Sequence, residues 1–442
     1  MVRSGLLALV AGLALALAAA AAPADPRVAW LRDEAIPIRS IAPGDGDFSD
    51  LRPLRSVLAG ARVVVLGEAT HGDGNTFLAK ARLVRFLHQE MGFDVLAFES
   101  GFYDCWKAWQ RIEAGDDPAA AFRQSVFPIW TRSAQLQPLI DHFAAAARSP
   151  RPLELAGFDP QFTGELSGRH LLDDLARVAE AVGMPGDELK RRVAVPLANL
   201  VEGKYESGEI PDPAARAALV ETMADLRERL LRQGRAVPER AFWLRWLASI
   251  GDFATNSWST DFTRSLLESP EDYAVRERLM GEQLAWLARE RFAGRKIIAW
   301  MHSGHAARGL AGVEVPSPVH ARLYRTLQPA GAVARAALGE EIYVVGVLAY
   351  QGRTGTVFRR SSPEELLRPT EGSLEDLLHR TGHAHAFLDL SRAGRLPRWL
   401  RGPLIARPIG YKEMRARWRE VFDGLLFLDR MEISERAAVP SR

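Results

Sequence analysis

Two short β-branched runs, residues 62–67 (RVVVLG) and 94–99 (DVLAFE), flank a stretch in which Phe77, Leu83, Val84, Phe86 and Leu87 recur largely at helical spacing. Gly92 follows where a helix cap belongs. The pattern predicts strand, helix, strand, with the two strands parallel and neighbouring. Further apolar runs at residues 153–158, 296–301, 342–350 and 386–390 extend the same sheet. Strands that alternate with helices make the fold class α/β, a central and largely parallel sheet flanked by helices. Between residues 164 and 295 the pattern changes. Residues 214–231 and 240–250 are long, charged, helix-forming stretches, which predicts a helical insertion or cap over about 165–295, broken by Pro196, Gly203, Pro211 and Pro213. Residues 361–368 and the tail after Glu435 read as surface loops.

The amino terminus is a separate object. Arg3 precedes an unbroken run of Leu, Ala, Val and Gly over residues 6–22, which ends in small residues before Pro23 and Asp25. This reads as a secretory signal peptide, residues 1–24, with cleavage after Ala24. The mature chain, residues 25–442, is then periplasmic or secreted and keeps no stable membrane anchor. No other segment is long and apolar enough to span a bilayer.

Composition narrows the function classes. The 442 residues carry 57 Lys and Arg against 55 Asp and Glu, a net charge of +2, which argues against a nucleic-acid partner. The single cysteine, Cys105, excludes a disulfide framework and a zinc finger or ribbon. With no histidine partner in sequence, it reads as a small buried hydrophobe.

The chemistry gathers at strand ends. In open parallel sheets ligands bind outside the carboxyl ends of the strands. Glu68 and His71, in the segment GEATHG, follow the first strand; Glu99 ends the next; His302 and His305, in MHSGH, follow the run at 296–301. The nucleophile elbow G-x-S-x-G is absent, since Ser303 sits in HSGH. H-E-x-x-H is absent too, and His88-Gln89-Glu90 lacks a second histidine. Two options remain. A neutral imidazole can take a proton from water near neutral pH, with Glu68 or Glu99 fixing the tautomer of His71 and Lys80 or Arg82 supplying a cation for an oxyanion. Alternatively His71, His302, His305 and the two glutamates have the ligand types of a zinc or manganese site. His383 and His385 alternate before a strand and read as a solvated strand end.

GEATHG, a basic residue on the following helix, a strand ending AFES, and WMHSGH together resemble the erythromycin esterase family. Gly157-Phe158-Asp159 is similar to the family's G-x-D strand end. The segment from Arg276 to Gln283 (RERLMGEQ) is similar to its R-D-x-x-M-x-x-N helix. The resemblance covers most of the mature chain. It implies a hydrolase that opens a macrolide lactone, needs no cofactor and holds no metal. His71 would activate water, Glu68 and Glu99 would be the accompanying carboxylates, and His302 and His305 would line the same cleft. Lys80, Arg82 and Asp159 would contact the substrate or its oxyanion. The chain departs from the family pattern in having Lys80 where arginine is usual, and in Glu277 and Gln283 in place of the shorter Asp and Asn. The segment beginning at Trp130 lacks an expected glutamate. The expected partner is a small ester or lactone. Two other readings stay open: a metal-dependent hydrolase or peptidase built on the same cluster, and a ligand-binding relative that turns nothing over.

Overall fold

The computed structural model describes residues 25–262, 270–355 and 363–437. The expected signal peptide lies outside these residues, as do parts of the two expected surface loops. Among the described residues the main sheet has nine strands: β1 (Ile36–Pro37), β2 (Val63–Leu66), β3 (Val95–Gly101), β4 (Glu154–Asp159), β5 (Ile297–Trp300), β6 (Ile342–Thr354), β7 (Glu364–Glu365), β8 (His385–Asp389) and β11 (Gly424–Met431). Their spatial order is β1-β8-β11-β6-β2-β5-β3-β4, with β7 paired to β6. A separate antiparallel pair joins β9 (Leu404–Ala406) to β10 (Met414–Ala416). The six strands from β11 to β4 run parallel to their neighbours, and β1, β7 and β8 are antiparallel additions at the margins. The fold is α/β with a mostly parallel sheet, as expected.

Every strand inferred from an apolar run is present. One inference about their order is corrected: β2 and β3 are parallel but not neighbours. β5 lies between them, with Ile297 in register with both Val63 and Val95. A crossover helix can carry the chain past one strand position, and the vacant position is filled here by a strand from much later in the sequence.

Residues of successive period lie on opposite faces of a strand, and the sheet separates two apolar layers accordingly. Val63, Val65, Val95, Ala97, Ile297 and Ala299 pack into the layer that holds Leu175, Leu226, Trp243 and Leu284. Val64, Leu66, Leu96, Phe98, Ile298 and Trp300 pack against Phe77, Val84, Phe86, Phe122 and Phe143. The segment between β4 and β5 is helical, including Leu166–Ala181, Gly186–Val201, Pro213–Gln233 and Arg240–Ser259. It supplies much of the first layer. Pro196 does not break it but sits buried inside Gly186–Val201. An interior proline costs about 3 kcal/mol, which burial of the same helix face, with Leu189, Val193, Leu197 and Leu200, offsets.

Three helices carry site residues and are labelled here α1 (Gly74–Met91), α2 (Ala274–Trp286) and α3 (Pro318–Thr326). α1 contains the expected apolar stripe and ends at Gly92, whose φ of +73° is the left-handed cap that glycine supplies without strain. Among the described residues no helix is long and apolar enough to cross a membrane.

Candidate active site

β2 ends at Leu66, and the chain turns at once through Gly67. A Cβ there would lie 2.7 Å from both Ser303 Oγ and the Val345 carbonyl oxygen, so only glycine lets the turn sit this close to β6 and the segment after β5. Glu68 follows with no exposed surface. Its Oε1 accepts from Trp130 Nε1 at 2.7 Å and from His71 Nδ1 at 2.8 Å, and its Oε2 accepts from Lys80 Nζ at 2.7 Å. Burial alone would raise this carboxyl, but the Lys80 charge and the His71 hydrogen bond outweigh it and hold Glu68 below the usual range. The carboxylate therefore fixes the proton of His71 on Nδ1, which leaves Nε2 as the acceptor edge of the neutral ring.

Lys80, on α1, is not at the surface of the cleft. It is 1% exposed, lies 3.8 Å over the Trp300 ring, and is brought down to about 8 by burial, against the opposing pull of Glu68. Its role is to hold Glu68, which corrects the expectation that it binds an oxyanion. Arg82 is corrected more fully. Two residues along α1 it points to the other side, where it pairs with Asp50 and donates to the carbonyls of Ser40 and Asp47. Residues i and i+2 of a helix do not share a face.

The second half of the site descends from β3, β4 and β5. Glu99 Oε2 accepts from the His302 backbone N–H at 2.9 Å, while Oε1 faces Arg276 Nη2 at 3.1 Å and His305 Nε2 at 3.4 Å. Burial would raise Glu99, but the charges of His305 and Arg276 bring it to about 2. Asp159, expected as a substrate contact, is buried and grips Arg276 from both carboxylate oxygens, at 3.1 and 2.6 Å. It orients Arg276 rather than reaching the cleft.

His302 and His305 differ sharply. The Gly304 N–H donates to His302 Nδ1 at 3.0 Å, and His302 Nε2 donates to the Ala69 carbonyl at 2.9 Å. Both ring nitrogens are used, and burial with two neighbouring imidazoles pushes the ring down to about 3. It is a neutral brace between the β5 end and the β2 end. His305 Nδ1 donates to Glu277 Oε1, whose other oxygen accepts from the Ala330 N–H. Burial lowers His305, yet Glu277 and Glu99 overcome this and raise it to about 9. It is therefore an imidazolium at neutral pH. The ring centroids of His71 and His302 lie 5.1 Å apart, and those of His302 and His305 5.8 Å apart.

His71, His302, His305, His320, Glu277 and Lys412 form the polar side of a cavity of about 420 Å3, whose other wall is Leu310, Leu323, Tyr324, Leu327 and Ile409. The turn that carries His71 is pinned from behind by Asp73. That carboxyl accepts from the Thr70 N–H and hydroxyl, from Thr354 and from Tyr411 Oη, and burial raises it to about 6.

Sequence reasoning missed Trp130 as a donor to Glu68 and Glu277 as the partner of His305. No local spacing marks either, because the partners meet only in the fold, although the resemblance of residues 276–283 to the family helix flagged the right segment. Ser303 is buried and its N–H donates to the Glu68 carbonyl. Cys105 is buried as expected, and burial pushes its thiol up. Among the described residues no three His, Cys, Asp or Glu side chains are grouped to hold a metal ion.

A model of the erythromycin esterase family matches residues 88–431. YbfO of Bacillus subtilis is 26% identical over 423 residues, covering 90% of each chain. Erythromycin esterase type II of Escherichia coli is 22% identical over 430 residues, covering 92% of this chain and 98% of the relative. Among solved structures, a mutant of erythromycin esterase EreC in its open conformation shares the fold, with a TM-score of 0.64 and 16% identity over 90% of this chain and 98% of that one. The chain belongs to the erythromycin esterase family.

Proposed function

We propose that this protein is an exported hydrolase of carboxylic esters, in which His71 Nε2 takes a proton from water and the resulting hydroxide attacks an ester or lactone carbonyl. The observation that carries this reading is the arrangement of His71: Nδ1 is committed to a buried carboxylate, itself fixed by Lys80 and Trp130, and the ring lines the cavity. Glu68 also stabilises the imidazolium that forms when the proton arrives. The tetrahedral oxyanion takes its counter-charge from His305, the cation that Glu277 and Glu99 maintain at the same cavity. On collapse, the proton passes from His71 to the leaving alkoxide.

The reaction proposed here uses no metal. Both nitrogens of His302 and of His305 face protein partners, so of these three rings His71 alone keeps an unengaged nitrogen, Nε2. One such nitrogen does not make a divalent-metal site. The apolar wall of the cavity favours a small organic ester, and a macrolide lactone is the first substrate to test, given the family. Export rests on residues 1–24 of the sequence. The test is hydrolysis of macrolides and simple acyl esters followed by mass spectrometry, with His71→Asn and EDTA-treated protein alongside. Gain of one water that His71→Asn abolishes and EDTA leaves unchanged supports the reading. Full activity in His71→Asn, or its loss on chelation, overturns it.

A further inference from the structure

Beside the cavity of His71 lies a second, larger one of about 720 Å3. The two share three residues, His320, Gly410 and Lys412, and both open onto the same turn: His71 lines the first and Thr70 the second. Between them stands a pair of side chains. Lys412 Nζ donates to His320 Nε2 at 2.8 Å, from the loop between β9 and β10 across to α3. The loop is fixed to the catalytic turn at two points, by the Gly410 N–H on the Ala69 carbonyl and by Tyr411 Oη on Asp73, both at 2.9 Å. Lys412, which divides the cavities, is thus anchored to the segment that positions His71.

The chambers differ in chemistry. The inner one, so called because it holds His71, has a wall of leucines, Tyr324 and Ile409. The outer one is lined by Thr70 and Thr354, whose hydroxyls bond Asp73, by Ser317, whose hydroxyl oxygen accepts from the His320 N–H, and by Glu364 and Glu365 set against Arg368 and Lys412. Its other charged groups are already engaged, Glu413 by Thr370 and Arg407 by backbone carbonyls. Two acids against two bases give polarity without net sign. Such a surface suits a neutral, hydroxyl-bearing group, which hydrogen-bonds both donors and acceptors without requiring a counter-charge.

We propose that the two chambers form one divided substrate cleft, in which the inner chamber takes the apolar acyl portion of an ester, the outer takes a neutral polyhydroxylated alcohol portion, and the Lys412–His320 pair is the specificity-determining partition between them. This rests on the esterase reading and names the substrate class for it. Small alcohols need only the inner chamber. A polyhydroxylated alcohol must pass the partition, so the ease of parting Lys412 from His320 sets the preference between the two.

The test uses two esters with the same acyl group, ethyl octanoate and sucrose monooctanoate, and reads the ratio of kcat/KM for the sucrose ester to that for the ethyl ester. Lys412→Ala removes the partition from an exposed position. Leu367→Trp narrows the outer chamber at a residue 81% exposed, whose backbone carbonyl alone is used structurally. Thermal melts confirm that both variants fold. The inference expects the ratio to rise severalfold in Lys412→Ala and to fall about tenfold in Leu367→Trp, the scale on which pocket contacts discriminate. Ratios within about twofold of wild type in both variants overturn it while leaving the esterase reading intact. A wild-type protein inert to both esters removes the esterase reading and the inference together.

Discussion

Four imidazoles line one cavity of this protein, and the partners of His71, His302 and His305 give these three different roles. Glu68 holds His71 by Nδ1 and leaves Nε2 towards the cavity, two backbone groups occupy both nitrogens of His302, and two carboxylates keep His305 charged. His71→Asn keeps the size and polarity of the side chain but removes the basic nitrogen, so kcat should fall by a factor on the order of 10^2 to 10^4 while the melting temperature stays near wild type. Steady-state kinetics with a thermal melt checks both halves. His305 gives a pH prediction with a definite sign. Its raised value of about 9 makes the proposed oxyanion partner cationic below that pH and neutral above it, so the pH profile of kcat should turn down near pH 9. Neutralising its partner by Glu277→Gln, at unchanged side-chain length, removes one of the two stabilising charges and should move that descent to lower pH. Lys80→Met leaves Glu68 buried without its cation, and breaking a buried pair in this way costs about 3 to 5 kcal/mol. Urea unfolding of the variant measures it.

Elements explain why these residues meet. The carboxyl ends of β2, β3 and β5 lie side by side, and each delivers one or two site residues within a few positions of the strand end. That part of the site was legible from the sequence, because polar residues directly after buried β-branched runs in a parallel sheet have one edge to occupy. The functions of Lys80 and Arg82 were not legible. Both are basic and near in sequence, and only the orientation of α1 shows that one supports Glu68 and the other ties down residues 40–50. β11 was missed because Asp423 and Gly424 interrupt its apolar run, yet Gly424 begins a strand paired to β6 on one side and β8 on the other. The turn that carries His71 tests the same idea of close element packing. A Cβ on Gly72 would lie 1.7 Å from the Gly355 carbonyl oxygen. Overpacking of this kind costs about 1 to 3 kcal/mol, so Gly72→Ala should lower both the melting temperature and kcat, through displacement of His71.

At the scale of the whole molecule, the site leaves its mark on stability as a function of pH. Glu99 is held at about 2, below its ordinary 4.5, so its contribution is complete above 4.5 and is lost as pH falls towards 2. His302, lowered from 6.5 to about 3, acts in the same direction between those values. His305 is raised, so its contribution is complete below 6.5 and disappears as pH rises through 9. Chemical denaturation across the range should show destabilisation on both sides of a maximum near neutrality, and His305→Gln should flatten the alkaline side. The helical segment between β4 and β5 reads in sequence as an insertion or cap because its charged pattern breaks the alternation of strands and helices. In the fold its helices supply much of one entire apolar layer, which local pattern cannot reveal because layer membership depends on which sheet face a helix meets.

The position of β5 sets an order of assembly. β2 and β3 come early in the chain, but the gap between them is closed only by residues 297–300, after the long helical segment has been made. Until then two strand edges wait unpaired, and His71, its neighbouring carboxylates and His305 have no common cavity. Pairings this distant in sequence form slowly, because the loop-closure entropy must be met before they contribute. A chain cut short before β5 would therefore hold Glu68, His71 and Glu99 yet have no pocket to place them in, and competence would arrive late and all at once.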